Sequence, residues 1–474
     1  MLQKIHQQQI SVDGIDIQGF IDGDVTVHEG FSVEKSELGG FGIFLTVDQI
    51  LKDKIDETQD LLIARIPAKI TFDLPLLLSK QETLKLRSPK EWEIIKQVLS
   101  NCEGVNETEI LIDYFFAFMI IINNHQESGI KDLEFYLEIL SQTNVDVLEN
   151  SDDFLSQVEL KKKHQLEAKY TEIIQSLSPS KVHVPSFEEY YHMNKVIRSR
   201  VLEIPHSVEE NDEDYTVNTT LVPLLDFANH RYDNNAYFDV DKGTGDILLK
   251  VKSDTISMGK QEICIQYSDT KSVQHFVSTY GFIPHNSVQV FEIKVNSNDI
   301  NHCINKIQDT VDVKYDLIMK WLEISPIIQL IKNGDEIGAN VNFNPIPFWV
   351  IFSHKFEYVG WEDKLNLSLI NDDDLHIDNV EDLRTFIKFQ EDKCDVIQGL
   401  EKVAIIPDTI EDFDEDECKQ KFFSLIKMLN DHKSLPDTSL TSQYLNYKRN
   451  LLEKVSSEID IEHDGFYRPA TIYG

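Results

Sequence analysis

Cysteine is scarce here: Cys102, Cys264, Cys303, Cys394 and Cys418 are the five in 474 residues, and no two stand at C-x-x-C spacing. Scattered cysteines exclude the disulfide framework of small secreted domains and offer no structural zinc site, so a reducing compartment and no metal are expected. Long apolar runs are missing too. The stretch from Ile110 to Ile122 falls short of the ~20 residues that cross a bilayer, and the opening Met1-Leu-Gln-Lys-Ile-His-Gln-Gln-Gln has no apolar signal core. A cytoplasmic protein is expected, with the nucleus as a second location and no membrane partner. Basic residues are in deficit, 45 against 82 acidic, for a formal charge of -37. Such a field repels phosphate backbones, which argues against direct nucleic-acid binding, and it draws in basic polypeptides. The same acidity also serves plain solubility.

With 41% hydrophobic and 10% aromatic residues, the composition is that of a globular chain, and its length suggests two or three domains. From Gly19 to about Phe72, short alternating apolar segments punctuated by glycine predict strands and turns. From about Lys80 to Arg200 the period turns helical, with a buried helix over Ile110–Ile122, another over Phe187–Val201, and a polar, exposed insertion with some helix from Ser141 to Val184. A second β region is predicted from Asn218 to Phe282. In it Tyr237–Val240 and Ile247–Val251 flank Asp241-Lys-Gly-Thr-Gly-Asp246 as a hairpin. After a strand-like segment near Gln289–Val295, the rest to about Asp460 reads as mostly helical, with Tyr444, Tyr447, Leu451, Leu452 and Val455 on one face of a late helix. Acidic runs at Glu209–Asp214, Asp372–Asp382 and Glu411–Glu417 read as solvated loops or helix faces, and no internal repeat is seen.

Three segments carry chemistry. The first is Gly39-Gly-Phe-Gly-Ile-Phe44, a glycine-rich turn between strands. The second is Leu221-Val-Pro-Leu-Leu-Asp-Phe-Ala-Asn-His230 followed by Asn234-Asn-Ala236. Read alone, it is a strand-to-helix junction capped by Asp226, and Asp226 with His230 makes a poor metal pair for want of a third ligand. The third runs from Gln261-Glu-Ile-Cys-Ile-Gln-Tyr267 to Tyr280-Gly-Phe-Ile283. Tyr267 alone would read as a core aromatic. Upstream, Val196-Ile-Arg-Ser-Arg-Val-Leu202 carries Arg200, which read alone lies on the surface of an amphipathic helix.

In this order and spacing, the segments resemble the motifs of SET-domain methyltransferases, in the class of Rubisco methyltransferase and fungal ribosomal-protein lysine methyltransferases. The resemblance runs from about Gly19 to Phe282 and, in architecture only, through the helical C-terminal region. It departs from the pattern at Ser268, where glycine is usual, at Arg231 after the Asn-His pair, and at Leu202 in place of a frequent aromatic. It implies an α+β fold: a β-rich SET domain over residues 1–290 with a helical insertion at about 80–200, then a mostly α-helical substrate-binding domain over 291–474.

The resemblance also implies S-adenosyl-L-methionine as cofactor, held by Gly40, Phe41, Gly42, Arg200, Asn229, His230 and Tyr280. It makes Tyr280 the catalytic residue and Tyr267 and Phe282 the aromatic walls for a substrate lysine. The expected partner is a basic protein, a ribosomal protein or elongation factor, modified by a monomeric protein-lysine N-methyltransferase. Two other functions stand beside it: histidine methylation on the same fold, and a non-catalytic acidic binder of basic proteins.

Overall fold

In the computed structural model, residues 24–285 are described apart from 50–52, 54–57, 88, 101–105, 125–130, 152, 178–181 and 208–214; beyond them so are 288–295, 297–305, 327–340, 356–358, 403–405, 415–430 and 438–458. Cys102, Cys394, the acidic runs at 209–214 and 372–382, and the first part of the run at 411–417 lie outside the described residues. The described residues fall into two compact units, one within 1–150, 155–270 and 278–285, the other within 151–154, 271–277 and 286–474.

The first unit opens with β1 (Thr26–Val27), β2 (Phe31–Lys35), β3 (Phe41–Val47), β4 (Leu61–Ile66) and β5 (Phe72–Asp73). Six helices follow: α1 (Leu74–Arg87), α2 (Pro89–Leu99), α3 (Glu107–Asn124), α4 (Lys131–Gln142), α5 (Phe154–Leu177) and α6 (Phe187–Arg198). The chain then returns to strands β6 (Val201–Ser207), β7 (Tyr215–Leu221), β8 (Asn229–His230), β9 (Ala236–Val240), β10 (Ile247–Val251) and β11 (Gly259–Ile265); α7 (Val273–Tyr280) follows, its residues to Val277 counted with the second unit and the rest with the first. Three sheets result, ordered β1-β4-β10-β9, β2-β3-β11-β8 and β5-β7-β6.

Alternation builds the β core. In β3, Ile43, Leu45 and Val47 turn inward while Thr46 faces out, and in β10, Ile247, Leu249 and Val251 do the same. The hairpin anticipated around Asp241–Asp246 forms with Val240 opposite Ile247, and Arg65 of β4 ties Asp241 and Asp246 together across it. The third sheet brackets the helices: Phe72 of β5 and Val201 of β6 both pair with Leu221 of β7. The helical excursion therefore leaves and rejoins the sheets at one place.

Its central helix, α3, is apolar all round, so it must be covered on every side. Phe72, Phe115 and Tyr136 pack edge-on and stacked beside it, and Phe116 meets Tyr190 of α6. Asp113, fully buried in α3, is held by Lys169 of α5 at 2.7 Å and by the Tyr190 hydroxyl at 3.1 Å. The start of α6 is set by a capping box between Ser186 and Glu189.

Two boundaries differ from expectation. The helix predicted to run to Val201 stops at Arg198, because the following residues pair with β7, where Val201 and Leu202 lie opposite Leu221 and Thr220. The β region expected to reach Phe282 ends at Ile265, and Val273–Tyr280 is a short helix whose Val273, Phe276 and Val277 share one buried face.

The second unit holds β12 (Val288–Lys294), α8 (Ser297–Asn305), β13 (Ile327–Asn333), β14 (Glu336–Asn340), β15 (Phe356–Tyr358), β16 (Val403–Ile405), α9 (Glu415–Leu429) and α10 (Leu440–Glu458). Strands β12, β13 and β14 form an antiparallel sheet. The hairpin of β13 and β14 adds strands to a stretch whose sequence reads as helical; its signal is Asn333-Gly334-Asp335, with Gly334 at φ 61°. In α10 the anticipated face is present: Tyr444, Leu451, Leu452 and Val455 are buried, Phe291 of β12 lies 5.3 Å from Tyr444, and the Tyr447 hydroxyl donates to Gln289 at 2.6 Å.

The buried Asp113 carboxylate gives a test of how the helical insertion is held. Removing one partner of a buried pair leaves the other uncompensated, so Asp113→Ala is expected to lower the unfolding free energy by roughly 3 kcal/mol in urea denaturation. Adding Lys169→Met should restore most of it.

Candidate active site

The site begins with a strained bend. Leu224, buried at 1% exposure, has φ 76° and ψ −46°, a region that costs a non-glycine residue on the order of 1–3 kcal/mol. The bend leads through a tight turn at Leu225–Phe227 into β8, which pairs parallel with β11: Asn229 opposite Cys264, His230 opposite Ile265. Asp226 therefore lies inside a 3-10 turn and caps no helix. Neighbouring strand residues point to opposite faces, so Asn229 and His230 serve two different walls.

On one wall, the Asn229 amide donates to the carbonyl of Phe41 at 3.2 Å and to Glu262 Oε1 at 2.7 Å. The glycine turn of Ser36–Gly40 is closed by Ser36 N donating to the Gly40 carbonyl at 3.0 Å. A Cβ on Gly42 would stand 3.0 Å from Asn229 Nδ2 and collide with the Glu262 carboxylate. Glycine is thus needed at 42 to admit Asn229 and Glu262, a reason the resemblance did not supply. A Cβ on Gly40 would meet nothing.

On the other wall, His230 Nδ1 accepts from the backbone N–H of Tyr267 at 3.1 Å, so the neutral ring carries its proton on Nε2. Rings gather around it: Tyr232 at 4.6 Å, Tyr267 at 5.3 Å and Phe282 at 6.1 Å. Tyr280 stands 4.9 Å from Tyr267 and 6.3 Å from Phe282. The Tyr267 hydroxyl donates to the Ala228 carbonyl at 2.9 Å. Burial pushes both phenols up, Tyr280 also under the influence of Tyr232 and Glu203, so both hydroxyls stay protonated near neutral pH. Gly281 makes the turn between Tyr280 and Phe282 at φ 77°, where a Cβ would also run into the backbone of Asp146.

Behind Tyr267 lies a buried polar group. Arg200 sits past the end of α6, its side chain only 15% exposed, with Nε 3.8 Å from Asp226 Oδ2 and Nη1 donating to Ser199 Oγ at 2.7 Å. The surface-arginine alternative is therefore set aside. Tyr136 donates to the same carboxylate oxygen at 2.8 Å. Burial dominates Asp226 and raises its pKa to about 6, against the lowering effect of Arg200 and Tyr136.

The structure brings Phe41 and Gly42 to Asn229, with Gly40 closing the turn beside them, and gathers Tyr267 and Phe282 at His230 with Tyr280 against both of those rings. Arg200 joins through Asp226 and has no hydrogen bond to Asn229 or His230. Sequence reasoning passed over Glu262, Tyr136 and Tyr232. Only Glu262 left a trace, as the acidic residue within the Gln261–Tyr267 segment. Among the described residues, no group of three or more His, Cys, Asp and Glu is placed to hold a metal, and no helix is long and apolar enough to cross a membrane.

The segments that resemble SET-domain methyltransferase motifs thus meet at β8, with glycine-turn backbone on one side and an aromatic wall on the other. A protein-family model described as cytochrome c lysine N-methyltransferase 1 matches residues 20–462, and the chain belongs to that family. A relative of that name from Saccharomyces cerevisiae is 26% identical over 341 residues, 65% of this chain and 55% of the relative. The chain thus spans about half the length of that relative. One from Kluyveromyces lactis is 26% identical over 457 residues, 90% of this chain and 82% of its own, and one from Eremothecium gossypii is 28% identical over 292 residues, covering 55% and 58%. A solved structure titled "Crystal structure of the SET domain of LSMT bound to Lysine and AdoHcy" superposes with a TM-score of 0.46 at 13% identity, over 92% of this chain and 90% of that one.

The raised Asp226 pKa sets a pH dependence. A carboxyl that binds its proton more tightly folded than unfolded removes stability as pH climbs from the unfolded value, 3.8, to the folded value, about 6. Above that the loss is complete and constant. In thermal melts across this window, the parent should lose stability that Asp226→Asn retains.

Proposed function

We propose that this chain transfers a methyl group from S-adenosylmethionine to a lysine side-chain amine of a basic protein, and that the protein is a cytochrome c. One observation carries the enzymatic reading: His230 and Tyr280 share one ring cluster through Tyr267 and Phe282, and Asn229, next to His230, lies on the glycine turn. The relatives' names move the favoured substrate from the translation machinery to cytochrome c. The formal charge of -37 suits any lysine-rich partner. We place the reaction in the cytoplasm on the cysteine pattern alone.

One residue fits the cofactor by its chemistry: Asn229, with both amide hydrogens engaged, offers its carbonyl oxygen to a donor such as an α-ammonium, and Gly42 admits the Glu262 carboxylate that holds that amide. When bound, S-adenosylmethionine supplies the electrophilic sulfonium methyl. The chain's task is to present a neutral amine: an ammonium of pKa ~10.4 needs about 4.6 kcal/mol to be neutral at pH 7. Partly buried rings take water from the ammonium and lower that pKa, and their faces attract the cation on arrival. Tyr280, held protonated, orients the amine by hydrogen bonding and needs no basicity of its own. Arg200 and Asp226 lie within electrostatic reach of Tyr267.

Incubation of the full chain with methyl-labelled cofactor and purified cytochrome c, with ribosomal proteins in parallel, followed by mass spectrometry of the modified residue, tests this. Methyl-lysine on cytochrome c is the expected product. Methyl-histidine, or binding with no transfer to either substrate, would replace the reading. Tyr280→Phe is expected to lower kcat about a hundredfold, in the range for loss of one transition-state hydrogen bond. Calorimetry should find its cofactor affinity within about threefold of the parent, because the lost hydroxyl acts at the amine.

A further inference from the structure

Glu262 stands where the glycine turn, β8 and β11 meet, and the family resemblance assigned it nothing. Its Oε1 accepts two hydrogen bonds, from Ser36 Oγ at 2.6 Å and from Asn229 Nδ2 at 2.7 Å. Ser36 Oγ in turn accepts from the backbone N–H of Leu38 at 2.9 Å, inside the turn. A side-chain amide has two donor hydrogens on its nitrogen and an acceptor oxygen. Asn229 gives one hydrogen to the Phe41 carbonyl and the other to Glu262, both partners that only accept. Flipping the amide would set its oxygen against a carbonyl and a carboxylate, three acceptors facing one another, so one orientation is enforced. The same carboxylate occupies the space that a side chain at 42 would fill.

We propose that Glu262 is a positioning residue for the cofactor site: it fixes the Asn229 amide so that its carbonyl oxygen, and never its nitrogen, faces the ligand, and it ties the glycine turn to that orientation through Ser36. This rests on the reading of Asn229 as a cofactor-binding residue. The selectivity follows from chemistry. An acceptor fixed toward the ligand favours a ligand that donates there, and a rotating amide would accept either kind.

The test is a double-mutant cycle read by calorimetric binding of S-adenosylhomocysteine to the full chain. Glu262→Ala is expected to weaken binding about tenfold, a loss of one well-placed hydrogen bond. In the Asn229→Ala background the same substitution should change affinity less than about twofold, because there is no amide left to orient. Glu262→Gln keeps an acceptor oxygen for both donors and should stay within about threefold of the parent. Glu262→Leu fills the volume without an acceptor and replaces the alanine variant should that one fail to fold. Equal losses from Glu262→Ala with and without Asn229, or no loss beside a clear loss from Asn229→Ala, would overturn the positioning role and leave the proposed function standing. No loss from Asn229→Ala itself would overturn the reading of the cofactor site.

Discussion

Two residue pairings, Asn229 with Cys264 and His230 with Ile265, hold the site together. Strand β8 is only two residues long, yet it decides which side chain faces which wall. Side chains alternate along a strand, so a slip of one residue would turn Asn229 toward the rings and His230 toward the glycines. Such a short strand has little register of its own. The neighbouring chain supplies it: Arg231 N donates to the Ile265 carbonyl at 3.0 Å, and the Asn235 side chain bonds the Glu262 carbonyl and the Cys264 N–H, at 2.7 and 2.8 Å. The Asn235 amide acts as a piece of strand, bonding two backbone groups of β11 beside the short β8 ladder.

The strain at Leu224 belongs to the same constraint. A positive φ in a buried leucine persists only where surrounding packing over-determines it. Here Leu224 and its neighbour Leu225 are locked in the β core, with Val222 and Phe227 beside them. The bend throws Asp226 inward, against Tyr136 and Arg200, and sends the next residues into β8. A carboxylate buried at that point destabilises the fold, and its retention beside the aromatic wall fits a site built for function at some expense of stability.

Much of the architecture was legible. Alternation in β3 and β10, the Asp241–Asp246 hairpin and the apolar helix over Ile110–Ile122 follow from periodicity and turn chemistry, which are local properties. The junctions were not. Whether the chain after Arg198 continues as helix or enters a strand depends on β7 waiting to pair with Val201, and whether residues 273–280 coil or extend depends on where their apolar face is buried. The hairpin at Gly334 was missed, because its Asn-Gly-Asp turn sits in a stretch that reads as helical.

The sequence by itself determined the list of chemical parts: a glycine turn, an Asn-His pair, two tyrosines and a phenylalanine at fixed spacing, and a large excess of acidic residues. Residue identity and order carry that information, because each part is defined by what its side chain can do. Only the tertiary structure decided which parts meet. Ser36 and Glu262 are 226 positions apart, and Tyr136 and Asp226 are 90 apart. Such contacts arise from strand register and helix packing summed over the whole core, and no local pattern encodes them.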